Sequence, residues 1–104
     1  MEYGLESKYM EILRSVFSRH PEVERVILFG SRAKGNYKRG SDIDMAVVGE
    51  QVTKNVLSSL LSEFEDSLLP FFVDLLSYHQ IMSPELKEHI DRVGRVIYER
   101  EIGG

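Results

Sequence analysis

Phe29-Gly30-Ser31-Arg32-Ala33-Lys34-Gly35, followed by Ser41-Asp42-Ile43-Asp44, is the stretch on which the reading of this chain turns. It joins a Gly-Ser turn, the cations Arg32, Lys34, Lys38 and Arg39, and two carboxylates spaced i, i+2. Handling a phosphate with a hard cation needs those parts: backbone N–H donors, positive charge, and acidic oxygens. Val23 to Phe29 is apolar and β-branched, reads as a strand, and runs straight into Gly30. A short helix is predicted from Ser31 to Gly35, then a turn region through Asn36 and Gly40. Gly30 would let the backbone approach a phosphate closely, and Ser31 would stand where free N–H groups favour an anion. Gly-Ser is also a common turn.

Asp42 to Val48 reads as a second strand. Alternation then places Asp42 and Asp44 on one face, with Ile43, Met45 and Val47 on the other. Two carboxylates so close repel, and one would take up a proton unless a cation intervened. Mg²⁺ suits such oxygen ligands. The competing reading is an exposed Asp-x-Asp at a strand edge.

Outward from this centre, Leu5, Tyr9, Ile12, Leu13, Val16 and Phe17 recur at helical spacing, with Ser7 as a cap and Pro21 as the stop. Val56, Leu57, Leu60, Leu61 and Phe64 predict another amphipathic helix, capped by Thr53 and broken by Pro70. Phe71 to Leu76 is an apolar run interrupted by Asp74, the pattern of a buried strand. An unpaired carboxylate there would be costly. No lysine or arginine lies between Glu63 and Gln80, so the readings are a shared metal with Asp42 and Asp44 or a strand-end acid facing solvent. Ser83-Pro84-Glu85 is a helix start, with the helix ending near Gly94. Arg95 to Tyr98 closes as a short strand. The order α-β-α-β-α-β-α-β predicts an α/β (α+β) fold, a mixed sheet with helices packed on it, forming a single domain over residues 1–104.

The chain has 104 residues, no cysteine and a formal net charge of −4. Disulfides and thiolate metal sites are excluded. The acidic balance argues against general nucleic-acid binding. The basic stretch 31–40 marks either a local anion site or a solvated loop. No apolar run reaches membrane-span length, and the first residues lack the pattern of a signal peptide, so a cytoplasmic protein is expected. Tyr37 reads as a turn residue, Tyr78 and His79 as loop residues; no chemistry is assigned to His20, His79 or His89.

Gly-Ser, ten residues, then Asp-x-Asp resembles the nucleotidyltransferases of the DNA polymerase β superfamily, and the fuller motif resembles the minimal nucleotidyltransferase (MNT) branch. The resemblance covers about residues 26–76; Lys34 stands where many relatives carry arginine. It implies transfer of a nucleoside monophosphate, AMP from ATP, to a hydroxyl, with release of pyrophosphate and two Mg²⁺ ions. It implies a third carboxylate on a later strand, for which Asp74 is the match. Asp42, Asp44 and Asp74 would be the metal-binding and catalytic acids, Asp74 activating the acceptor. Gly30 and Ser31 would hold the β- and γ-phosphates, with Arg32 as a further phosphate contact.

Too little chain follows residue 76 for an acceptor-binding domain. The MNT resemblance therefore implies a helical HEPN-family partner, whose tyrosine would be the acceptor, and an antitoxin role. The alternatives are an antitoxin that masks its partner by binding alone, and a nucleotidyltransferase acting on small molecules of the antibiotic type.

Overall fold

The computed structural model describes residues 1–101. The helices and strands follow in the order α1 (Ser7–Ser18), β1 (Arg25–Phe29), α2 (Gly30–Lys34), β2 (Ile43–Val48), α3 (Lys54–Glu65), β3 (Val73–Ser77), α4 (Pro84–Val93) and β4 (Arg95–Glu99), with a short 3₁₀ turn at Tyr78–Gln80. The sheet runs β3-β2-β1-β4. β2 lies antiparallel to β1 and parallel to β3, and β4 pairs antiparallel with β1. It is the mixed sheet with packed helices that the sequence predicts.

The two faces of the sheet are covered differently. Leu13, Val16 and Phe17 of α1 and Leu60 and Phe64 of α3 pack on Val26, Leu28, Ile43, Met45 and Val47. The other face is thinner: Ile90 of α4 meets Ile27, Ala46 and Val48. β2 is central and covered on both faces, so its run Ile43 to Val48 is apolar except at Asp44. That single polar position stands at the uncovered end of the α4 face. Thr53 and Ser83 cap their helices as predicted, accepting from the N–H groups of Val56 at 3.3 Å and Leu86 at 3.2 Å. Among the described residues no helix is long and apolar enough to cross a membrane.

Three local expectations are corrected. Ser7 is the first residue of α1 and not its cap; Glu6 holds the cap position, without a side-chain bond. β2 begins at Ile43, one residue later than expected, because the Ser41 carbonyl is taken by the Arg32 side chain and the ladder to β3 opens at Ile43 and Val73. β3 is an edge strand and not a buried one. Asp74 is exposed on it, so the burial penalty that seemed to demand a partner does not arise.

Candidate active site

The site sits where β1 ends and where β2 and β3 begin. β1 delivers the chain into α2 through Gly30, whose φ of +73° lies in the left-handed region. Glycine is needed there for a second reason. A Cβ at position 30 would stand 2.6 Å from Asp44 Oδ2. Gly30 thus leaves the space that the Asp44 carboxylate fills, a role distinct from the close phosphate approach argued from sequence. Gly35, at φ +89°, ends α2, its N–H donating to the Ser31 carbonyl at 3.0 Å. The Ser31 side chain caps nothing and is half-buried beside this turn.

Asp44 and Asp74 are directly paired across the parallel β2/β3 ladder. In-register neighbours in a sheet project to the same face, with strands about 4.8 Å apart. Asp42 lies just before β2 and is exposed. Burial pushes the Asp44 carboxyl above the ordinary aspartate range, and the charges of Asp74 and then Asp42 push it further. That is the electrostatic mark of three acids gathered at one sheet end. A divalent cation would relieve it, and the donor set, carboxylate oxygens on an open surface, fits Mg²⁺. As the side chains stand, no three acids or imidazoles among the described residues converge into a closed ligand set. The backbone register sets Asp44 beside Asp74, and Asp42 and Asp74 are exposed.

Arg32 is not where a phosphate contact would be. It is 1% exposed, and its donors are spent on backbone carbonyls. Nε and Nη2 donate to Ser41 O at 3.1 and 2.8 Å, and Nη1 donates to Tyr3 O at 3.0 Å. Its guanidinium carbon also lies 4.8 Å from the Phe71 ring centroid and 5.5 Å from that of Tyr37. Burial lowers its affinity for the proton, offset by Tyr37 and Asp42. The phosphate assignment is therefore corrected: no free N–H fork faces the acids. Sequence gave no signal for this, because the acceptors are backbone carbonyls distant along the chain. Lys34, Lys38 and Arg39 are exposed, with no ion pair among the described residues. Of the two readings of this basic stretch, their exposure is that of the solvated loop.

The histidines stand apart. His20 hydrogen-bonds Glu63 between α1 and α3. Tyr78 donates to Asp91 Oδ1 at 2.7 Å, in a 3₁₀ turn where a loop was expected.

Residues 11–102 match the family described as "Polymerase beta, Nucleotidyltransferase". The protein named Probable protein adenylyltransferase MntA, from Haemophilus influenzae, is 34% identical over 101 residues, covering 96% of this chain and 88% of the relative. A crystal structure of a toxin–antitoxin with AMP-PNP superposes with a TM-score of 0.73 at 22% identity, over 88% of this chain and 74% of that one. A complex of tri-AMPylated Shewanella oneidensis HEPN toxin with MNT antitoxin gives 0.69 at 18% identity, over 92% and 74%. At those identities the structural likeness speaks to the fold.

Proposed function

Because this chain belongs to the polymerase β nucleotidyltransferase family, in its minimal branch, and is a nucleotidyltransferase, we propose that it moves AMP from ATP to a tyrosine hydroxyl of a HEPN-type partner protein. It would do so in the cytoplasm as a single domain of residues 1–104 and act as that partner's antitoxin. The observation that carries the reading is the pairing of Asp44 with Asp74 beneath Gly30. A binding-only protein needs neither paired acids nor a glycine that makes room for one. The partner and its modification rest on what the Haemophilus relative and the structural neighbours are named for.

The residues divide the work. Gly30 and Ser31 present the backbone N–H groups and the hydroxyl that take β- and γ-phosphate oxygens. Asp42, Asp44 and Asp74 would hold Mg²⁺. When bound, the metal supplies charge neutralisation on the triphosphate and acidifies the acceptor hydroxyl. Asp74, exposed on an open edge, is the acid that an incoming hydroxyl can reach, and it takes the proton. The acceptor oxygen bonds to the α-phosphorus as the bond to the β-phosphate bridging oxygen breaks, and pyrophosphate leaves. Lys34, Lys38 and Arg39 draw the polyanion in through their unpaired charge.

The same edge is suited to a protein acceptor. Phe72, 84% exposed, lies two residues before Asp74, and Leu68 is 90% exposed nearby. A groove of about 340 Å³ opens at Phe72, lined also by Leu61, Glu65, Leu69, Pro70 and Phe71. A partner covering this surface would bring its hydroxyl to Asp74. The test is the mass of the co-purified partner, incubated with ATP and Mg²⁺. Whole AMP increments with the wild type, and none with Asp74→Asn, are expected. An unchanged partner mass in a tight wild-type complex would establish masking by binding alone.

A further inference from the structure

Arg32 is a fully buried guanidinium that the transfer chemistry described above does not use. Its contacts have a pattern. Ser41, whose carbonyl takes two of its hydrogen bonds, immediately precedes Asp42. Phe71, whose ring it stacks on at 4.8 Å, comes three residues before Asp74. Arg32 itself is two residues beyond Gly30, in α2. One planar group, itself on the segment that follows Gly30, therefore touches the approaches to both strands that carry the acids.

The fourth contact has been arranged at some conformational cost. Tyr3 has a φ of +54° and Gly4 of +75°, consecutive left-handed residues in the turn closed by Glu2 and Leu5. Only through that turn does the Tyr3 carbonyl meet Nη1 at 3.0 Å. A non-glycine held at positive φ is disfavoured and persists where its surroundings fix it. Gly4 in turn seats the Tyr37 ring, since a Cβ there would lie 2.3 Å from it. Tyr37 then lies against the guanidinium.

We infer that Arg32 is a positioning residue for nucleotidyl transfer, its fork tying the approaches to Asp42 and Asp74 to the Gly30 turn so that the backbone carrying the three acids is already in place when Mg·ATP arrives. The inference rests on the transferase reading of that site. Lysine cannot replace it, because an ammonium has no rigid planar fork to span the Ser41 and Tyr3 carbonyls. A site loosened by about 1 Å can lose on the order of 100-fold in function while its fold survives.

The test is calorimetric titration with ATP and Mg²⁺ on the chain itself, with thermal melting alongside. Arg32→Lys should weaken Mg·ATP affinity at least about tenfold. Arg100→Lys is the control for stability alone. Arg100 also donates to two carbonyls, Val23 O at 3.2 Å and His20 O at 2.9 Å, away from the acids. It should lower the melting temperature and leave affinity within about twofold. If Arg32→Lys does not fold, Tyr37→Leu, at an exposed position, strips one aromatic face from the guanidinium and should weaken binding about threefold. Wild-type binding of Mg·ATP with unaltered affinity in Arg32→Lys, or in Tyr37→Leu where that variant stands in, would overturn the positioning role alone. No binding by wild type would overturn the transferase reading with it.

Discussion

At residue scale, Gly30 and Asp44 act as one unit. The left-handed turn and the missing Cβ are both required, the first by the path of the chain and the second by the carboxylate 2.6 Å from where that Cβ would be. Gly30→Ala should therefore do two separable things. The strained φ should cost about 1–2 kcal/mol of stability, read by urea unfolding. The added methyl should also push the Asp44 carboxylate out of place, lowering Mg·ATP affinity by more than that stability loss accounts for. Affinity equal to wild type would mean that Asp44 need not stay where Gly30 allows it.

At the scale of elements, β3 carries the most consequence. As an edge strand it has one unpaired side, and its approach leaves Phe72 and Leu68 in solvent. Exposed apolar groups beside an open strand edge usually mark a surface that something covers. Phe72→Asp is expected to release the partner while sparing Mg·ATP binding. A buried aromatic anchor at an interface is worth about 2 kcal/mol or more, whereas the same change on a free surface shifts stability by about 0.5 kcal/mol or less. Size-exclusion of the co-expressed pair reads the outcome, and undiminished co-elution would place the partner elsewhere.

At the scale of the whole molecule, two carboxylates pull the pH dependence of stability in opposite directions. Asp44 is raised by burial, Asp74 and Asp42, so the folded chain binds that proton more tightly than the unfolded chain. Its penalty is absent below the ordinary aspartate range and complete above the raised value; stability from this group falls as pH rises through that window. Glu63 is lowered by its hydrogen bonds with His20 and then Arg19. Its contribution is full above the ordinary glutamate range and is lost as pH falls through the lowered value. Comparing Asp44→Asn with wild type isolates the first. The advantage of the variant in melting temperature should grow as pH rises from the ordinary aspartate range through the raised value. Mg²⁺ should raise the melting temperature of wild type and not of Asp44→Asn. A difference flat with pH and indifferent to Mg²⁺ would remove the charge crowding from the account.

Sequence alone determined what local physics dictates. Alternating and helical apolar patterns, Thr53 and Ser83 as caps, and Gly30 and Gly35 as turn residues placed the elements in order, because each depends on neighbours a few positions away. The Gly-Ser and Asp-x-Asp spacing marked the candidate site for the same reason. What tertiary structure alone decided depends on partners far apart in the chain. Strand order left β3 at an edge, so Asp74 stands in solvent where its apolar surroundings implied burial. Arg32 turned inward because carbonyls at Tyr3 and Ser41 and a ring at Phe71 happen to meet there. Backbone carbonyls carry no residue identity, and no pattern in the sequence could announce them.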